Sequence, residues 1–181
     1  SLKKSGGGIY IGSEICGGVI RPLIENCKIV NNKAWQSGGG IMISTDNMTI
    51  ANPILKNNQF VNNVTSGLTI YNGGDLKTEP KIYNCEFVNN RGYYIGGGVY
   101  ILNNGGECKA SFYDCTIKNN FGAGIRILTK EKGVSQIDFY DCVVAYNKSD
   151  NNGGGVYTEN ITNSFSNSRF IRTKFIGNTA R

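Results

Sequence analysis

Short runs of alternating apolar and polar residues recur along the whole chain at nearly constant intervals. One such run reads Phe-Val-Asn-Asn at 60–63 and again at 87–90, and related runs occur elsewhere. Alternation with a period of two is typical of β-strands, whose successive side chains point to opposite faces. The asparagines that close these runs stand 27 to 31 residues apart. They are Asn32, Asn63, Asn90, Asn120, Asn147 and Asn178.

Two further apolar blocks repeat at the same interval. In one block a glycine precedes an apolar residue, and in the other an apolar residue stands three positions before the position of Cys85. The glycine block gives Gly8-Ile9, Gly40-Ile41, Gly67-Leu68, Gly98-Val99, Gly124-Ile125 and Gly155-Val156. The other block gives Ile24, Leu55, Ile82, Phe112, Phe139 and Phe170. Each unit therefore contains three short strand-like pieces, separated by glycine and asparagine turns.

The repeats predict the fold class. A unit of about 29 residues cannot bury its own apolar face, but similar units stacked in register can. Three strands per unit, all running in one direction, predict an all-β parallel β-helix with about six coils, three short parallel sheets and little or no helix. We expect residues 1–181 to form a single domain of this kind and to be a fragment of a longer repeat protein.

Connections of two lengths alternate between the units. The step from the closing asparagine to the next glycine block is eight positions after Asn32, Asn90 and Asn147, but four after Asn63 and Asn120. Longer connections on every second coil lie along one edge of a solenoid, where insertions project from the core. The three long connections begin with residues 33–37, 91–95 and 148–152.

Composition and charge exclude several classes of function. The chain has 25 glycines, 24 asparagines and no histidine, so His-dependent catalysis and His-ligated metals are excluded. The net charge of +6 is spread along the chain without a block of like charges, which argues against a nucleic-acid partner. No apolar run is long enough for a transmembrane helix. We expect no cofactor and no metal.

The repeats resemble those of the polymorphic outer membrane protein (Pmp) family, which pairs GG-(A/L/V/I) with FxxN. The matching motifs are Gly-Gly-Gly-Ile-Tyr at 6–10, Gly-Gly-Gly-Val-Tyr at 96–100 and 153–157, and Phe-Val-Asn-Asn at 60–63 and 87–90. Adhesin-like β-helices are similar more widely, and the resemblance covers essentially the whole chain. It implies a right-handed, pectin-lyase-like β-helix, an extracellular or cell-surface location and adhesion. Three units depart from the pattern with Ile29, Ile117 and Val144 in place of phenylalanine.

The six closing asparagines are predicted to form a structural ladder. An asparagine at a coil corner adopts the left-handed backbone conformation more easily than other non-glycine residues, and its amide can bond to the amide of the next coil. We therefore expect Asn32, Asn63, Asn90, Asn120, Asn147 and Asn178 to stand in one column.

The cysteines favour a structural interpretation as well. Cys27, Cys85, Cys115 and Cys142 share one repeat position, and stacking as small buried apolar groups is favoured over disulfides or zinc. Cys16 and Cys108 lie in connections and are expected to be more accessible, and whether they are free stays open.

Four Asn-x-Ser/Thr sequences occur, about as many as chance predicts. Two of them, at Asn63 and Asn147, belong to the ladder, and glycosylation at Asn47 or Asn160 stays open.

A carbohydrate-active enzyme is the runner-up function. β-Helix lyases and hydrolases use clustered aspartates, and Asp114 and Asp141 occupy one repeat position on successive coils, with Asp138 nearby. The earlier coils carry asparagine at this position, so the column is also explained as a polar ladder. We therefore assign no catalytic residues and keep Asp114, Asp138 and Asp141 as the alternative set.

Exposed aromatic residues in the long connections suit sugar rings or a protein surface. Trp35, Tyr93 and Tyr94 are the candidate ligand-binding residues. The favoured hypothesis is a non-catalytic, adhesin-like module that presents a rigid face to a glycan or protein. A structural subunit that joins neighbouring copies of itself end to end is the third alternative.

Overall fold

The structure is a computed structural model that describes residues 6–12, 17–45, 48–93 and 95–181. In these residues the chain forms a parallel β-solenoid, and each coil contributes to three sheets in turn. Every strand pair is parallel, and the described residues contain no helix. The predicted all-β parallel architecture with three principal sheets is confirmed.

We number the principal sheets in the order in which the chain enters them. Sheet 1 consists of Ile9–Ile11, Ile41–Thr45, Leu68–Asn72, Val99–Asn104, Ile125–Lys130 and Val156–Asn160. Sheet 2 consists of Leu23–Glu25, Ile54–Lys56, Lys77–Thr78, Lys81–Tyr83, Glu107–Cys108, Ser111–Tyr113, Val134–Tyr140 and Phe165–Ile171. Sheet 3 consists of Lys28–Val30, Gln59–Val61, Glu86–Val88, Thr116–Lys118, Val143–Ala145 and Lys174–Ile176. Two short pairs join Gly18–Ile20 to Thr49–Ala51 and Lys148–Ser149 to Thr179–Ala180.

The core consists of columns of equivalent apolar side chains, one above the other. Phe112 pairs in register with Phe139 on sheet 2, and their rings stack with centroids 4.5 Å apart. Phe60 and Phe87 stack in the same way on sheet 3, at 4.6 Å. All four side chains are fully buried, and each such burial contributes about 1.5–3 kcal/mol before chain entropy is subtracted. The register that the repeats predict is therefore the register of the core.

The coils bend at two columns of residues in the left-handed backbone conformation. One column precedes the cysteine position, and the other immediately precedes the ladder asparagines. The first column is Asn26, Asn57, Asn84, Asp114, Asp141 and Arg172, with φ between 47° and 57°. The second column is Asn31, Asn62, Asn89, Asn119, Tyr146 and Gly177, with φ between 54° and 59°. The expectation that the ladder asparagines themselves adopt this conformation is wrong, because the preceding residue makes the turn.

Candidate functional site

The structure brings the six closing asparagines together in one column. In each step, the Oδ1 atom of one asparagine accepts the backbone N–H and an Nδ2 proton of the asparagine on the preceding coil. Oδ1 of Asn90, for example, lies 2.9 Å from both the backbone nitrogen and the Nδ2 atom of Asn63. The same pair of bonds links Asn32 to Asn63, Asn90 to Asn120, Asn120 to Asn147 and Asn147 to Asn178.

An Nδ2 proton of every ladder asparagine after Asn32 binds a backbone carbonyl on the preceding coil. Asn90 Nδ2 donates to the carbonyl of Phe60 at 2.9 Å, and Asn120 Nδ2 donates to that of Phe87 at 2.9 Å. All four hydrogen-bonding sites of the Asn90 amide are therefore used inside the protein. The ladder holds coils together, and the amides of its four interior asparagines are fully engaged within the protein.

A second buried polar column runs along the corner between sheets 1 and 2, and sequence reasoning missed it. Thr45 Oγ1 lies 2.7 Å from Asn72 Oδ1, and Asn72 Nδ2 donates to Asn103 Oδ1 at 3.1 Å. Asn103 in turn donates to the hydroxyl of Ser135 at 3.2 Å. The sequence does contain a signal for this column. Each of its members Thr45, Asn72 and Asn103 stands four residues after the apolar residue of a glycine block.

The shared cysteine position supplies hydrogen-bond donors as well as apolar volume. Asn58 Nδ2 and Thr173 Oγ1 occupy this position on other coils, and they donate to carbonyls of the preceding coil at 2.8 and 3.2 Å. The thiols of Cys115 and Cys142 lie 3.8 and 3.7 Å from the equivalent carbonyl oxygens. They lie closer, at 3.3 and 3.2 Å, to the carbonyl oxygens two residues earlier in their own coils. The variation between cysteine, asparagine and threonine therefore preserves a donor at the turn into sheet 3.

The accessibility expected of Cys108 is wrong. Its thiol is fully buried and free in a short strand of sheet 2, and burial raises its pKa to about 12. Burial also raises the pKa of Cys85 to about 11. Cys27, in contrast, is exposed, so the expectation of a buried thiol does not hold on its coil. Cys16 lies outside the described residues.

Two of the three aspartates of the enzymatic alternative are paired with arginines of the last coil. The guanidinium of Arg169 binds both carboxylate oxygens of Asp138 at 2.7 and 2.6 Å, which lowers the pKa of that carboxyl. Arg172 binds Asp141 in the same way at 2.6 and 2.7 Å and lowers its pKa. Asp114 and Asp141 turn the chain in the left-handed conformation. Ionised, arginine-paired carboxylates are poorly suited to donate a proton at neutral pH.

The alternating connections create a groove on the outer side of sheet 1, which we call the loop groove. It lies between the long connections at 91–97 and 148–154, above the short connection at 121–124, and has a volume of about 470 Å³. Its lining includes Tyr93, Ala123, Arg126, Asn151, Tyr157 and Glu159. The groove arises because a short connection between two long ones leaves a gap one coil wide.

Arg126 and its neighbours form the charged and aromatic floor of the loop groove. The Arg126 Cζ atom lies 5.1 Å from the ring centroid of Tyr157 and 6.0 Å from that of Tyr100. Its Nη2 atom donates to Glu159 Oε2 at 3.1 Å. Tyr100, Arg126 and Tyr157 stand in register on neighbouring strands of sheet 1, and Glu159 lies two residues beyond Tyr157 on the same strand. Rings, an ion pair and nearby amides provide the apolar and polar contacts that sugar rings require.

The candidate ligand-binding residues are distributed over two coils. Trp35 is 80% exposed on the first long connection, and Tyr93 is 53% exposed on the second, where it lines the loop groove. Two coils separate them, which corresponds to roughly 10 Å along the rod. The structure therefore places them on one edge but not in one pocket. Tyr94 lies outside the described residues.

The Asn-x-Ser/Thr sequences differ sharply in accessibility. Asn63 and Asn147 are fully buried in the ladder, whereas Asn160 is exposed at the end of a sheet 1 strand. Asn47 lies outside the described residues.

Comparison with known proteins gave one family match. The model of the right-handed β-helix region matches residues 3–134, which is more than half of the chain. No curated protein and no solved structure matched the chain. Within the described ranges, no helix has the length and hydropathy needed to cross a membrane. Nor do three or more His, Cys, Asp or Glu side chains of those ranges meet as candidate metal ligands.

Proposed function

The chain belongs to the right-handed β-helix family, and from this premise we propose that it is a non-catalytic, adhesin-like module that binds a glycan. We further propose that it acts outside the cell or at a cell surface and that its repeats are of the Pmp type. The loop groove carries this proposal, because it combines the exposed ring of Tyr93 and the half-buried ring of Tyr157 with the Arg126–Glu159 pair. A protein surface is the alternative partner.

The groove predicts which side chains the glycan contacts. Tyr93→Ala and Tyr157→Ala should each weaken glycan binding, because both rings line the groove. Tyr10→Ala is the matched control, since Tyr10 is 42% exposed on the same sheet but five strands away from Tyr157. Titration against a panel of neutral and acidic oligosaccharides measures the effect. Equal binding by all three variants would remove the loop groove from the proposal.

The non-catalytic part of the proposal is tested separately. The pairing of Asp138 and Asp141 with different arginines supports it. Incubation with polyuronates and neutral glycans should release no unsaturated or reducing ends. Release of such ends by the wild type but not by Asp138→Asn would favour the carbohydrate-active enzyme instead.

End-to-end assembly is a second candidate, favoured by one observation. Phe175 occupies the core column of Phe60 and Phe87 but is 49% exposed, and the first coil exposes Val19 and Leu23. A second copy stacked on the last coil would supply parallel strands and cover these side chains. Sedimentation over a concentration series should then show association in the wild type and its loss in Phe175→Glu.

A further inference from the structure

A column that alternates exposed cations with half-buried apolar residues runs beside the asparagine ladder. Continuous parallel bridges connect its members, each of which directly follows a ladder asparagine. They are Lys33, Val64, Arg91, Phe121 and Lys148. The cations stand on every second coil, because each begins a long connection, and the apolar residues begin the short ones. We call this column and the amides described below the corner face.

The three cations are positioned at a fixed spacing. Neighbouring coils are about 4.8 Å apart, so consecutive cations are separated by roughly 10 Å and the outer two by roughly 20 Å. All three are exposed, and within the described part of the chain none of them forms an ion pair. The corner face therefore presents positive charge that the chain itself does not neutralise.

Arg91 lies against two aromatic rings. Its Cζ atom lies 4.9 Å from the ring centroids of both Tyr93 and Phe121, whose rings meet edge to face at 6.3 Å. The two rings restrict the guanidinium, so less conformational entropy is lost when it binds an anion. Tyr93 also lines the loop groove, which makes the corner face continuous with it.

Exposed amides run along the other side of the ladder. Asn31, Asn62 and Asn89 stand on successive coils in the left-handed conformation, and Asn119 follows them. Their amides can donate to and accept from hydroxyl groups, while Val64 and Phe121 offer apolar surface to the C–H face of a sugar ring. A ligand along this face would meet hydrogen-bonding, apolar and cationic groups in a regular sequence.

We propose that the corner face binds a linear anionic glycan that lies parallel to the solenoid axis, with its carboxylate or sulfate groups on Lys33, Arg91 and Lys148. This inference rests on the proposed glycan-binding function and gives its ligand a charge, a direction and a spacing. The amide column favours a hydroxyl-rich polymer over a nucleic acid. The net charge of +6 assists the approach of such a polyanion.

The test uses the full chain and four probes: oligogalacturonates, heparin oligosaccharides, dextran and single-stranded DNA. The corner variant combines Lys33→Gln, Arg91→Gln and Lys148→Gln. A matched control removes the same charge from three exposed lysines on other surfaces, and combines Lys81→Gln, Lys132→Gln and Lys174→Gln. Thermal melting of both variants verifies that the fold is retained. Affinity is measured by calorimetry at two salt concentrations.

The corner variant should bind the preferred acidic oligosaccharide roughly tenfold more weakly than the wild type, and its affinity should depend less on salt. The affinity of the control variant should differ from that of the wild type by less than about twofold. Affinity should rise with oligosaccharide length until the chain spans roughly 20 Å. The preference between oligogalacturonate and heparin distinguishes carboxylate from sulfate recognition.

Three results would overturn the inference. Equal weakening by both variants would mean that net charge alone attracts polyanions, and equal affinity for DNA would remove the preference for a glycan. Dextran binding that depends on Tyr93 and Tyr157 but not on the cations would leave the proposed function standing and refute only the anionic ligand. Failure of the wild type to bind any glycan would refute both.

Discussion

The interior of the asparagine ladder is the most sharply testable structural element. Asn90→Leu keeps the number and branching of the side-chain heavy atoms but removes both the acceptor and the donors. In the wild type, Asn90 Oδ1 accepts the backbone N–H and one Nδ2 proton of Asn63, and Asn90 Nδ2 donates to Phe60 and Asn120. All of these contacts are buried, so water cannot replace them without opening the corner.

The expected loss in the free energy of unfolding follows from the groups that lose their hydrogen-bond partners. Two buried donors of Asn63 lose their acceptors, and at about 1–3 kcal/mol for each unsatisfied donor the free energy of unfolding falls by about 2–6 kcal/mol. A chain of this size shifts its Tm by about 2–4 °C per kcal/mol, which predicts a decrease of roughly 5–20 °C. Because small domains are stable by only about 5–15 kcal/mol, this is a large fraction of the total.

Asn32→Leu is the matched control, because Asn32 donates to Asn63 but accepts no bond from another ladder asparagine. Asn32→Leu should therefore lower the free energy of unfolding by less than half as much as Asn90→Leu does. Urea unfolding followed by circular dichroism measures both, with the m-value as a check on two-state behaviour. Equal destabilisation of the two variants, or an unchanged midpoint for Asn90→Leu, would refute the ladder as a source of stability.

Three further predictions test other contacts. Arg169 lowers the pKa of Asp138 below its ordinary value of 3.8, so their pairing stabilises the fold above about pH 4 and is lost as the pH falls through the lower folded pKa. Urea midpoints should therefore be lower for Asp138→Asn than for the wild type at pH 7 and converge in acid, and a pH-independent difference would contradict this. Cys115→Thr should retain about 1 kcal/mol more stability than Cys115→Val, and the reverse order would contradict a donor at this position. Gly98→Ala should lower the Tm strongly, because a Cβ at this position would lie 2.7 Å from a backbone oxygen. Gly74→Ala is the control, since a Cβ there would meet only one atom, at 3.7 Å. Equal Tm values for the two variants would show that the coils adjust to the added methyl group.

The sequence predicts the columns because, in a solenoid, residues that are one repeat apart along the chain become neighbours on adjacent coils. Once Asn63 and Asn90 are seen to be one period apart, parallel stacking makes them neighbours without further knowledge. The same reasoning places Phe112 next to Phe139. Alternating connection lengths also predict projections along one edge, where the structure shows the loop groove.

Other features depend on local geometry that the period does not specify. The left-handed turn falls on Asn89 and not on Asn90, because the ladder side chain must point inward while its neighbour reverses the chain. Cys108 is predicted to be accessible because it lies in a connection between repeat blocks, yet it pairs in a short strand and is buried. The separation of Trp35 from Tyr93 follows from their positions on different coils, but which aromatic side chain lines a groove depends on the paths of the loops.

The alternation of connection lengths makes a pair of coils the unit that can be removed. Deletion of residues 64–120 joins Asn63 to Phe121, so that one short connection replaces another. The corner column then consists of Lys33, Phe121 and Lys148, and cations still alternate with an apolar residue. Deletion of residues 64–90 removes one coil and joins Asn63 to Arg91, which stacks two long connections and brings two cations to about 5 Å. The two-coil deletion should therefore melt cooperatively at a higher temperature than the one-coil deletion, although it is the larger change.

The two-coil deletion should also bind acidic oligosaccharides more weakly than the full chain, since it keeps two of the three corner cations. A one-coil deletion that is equally stable would show that the coils are independent of connection length and would remove the basis for a fixed cation spacing.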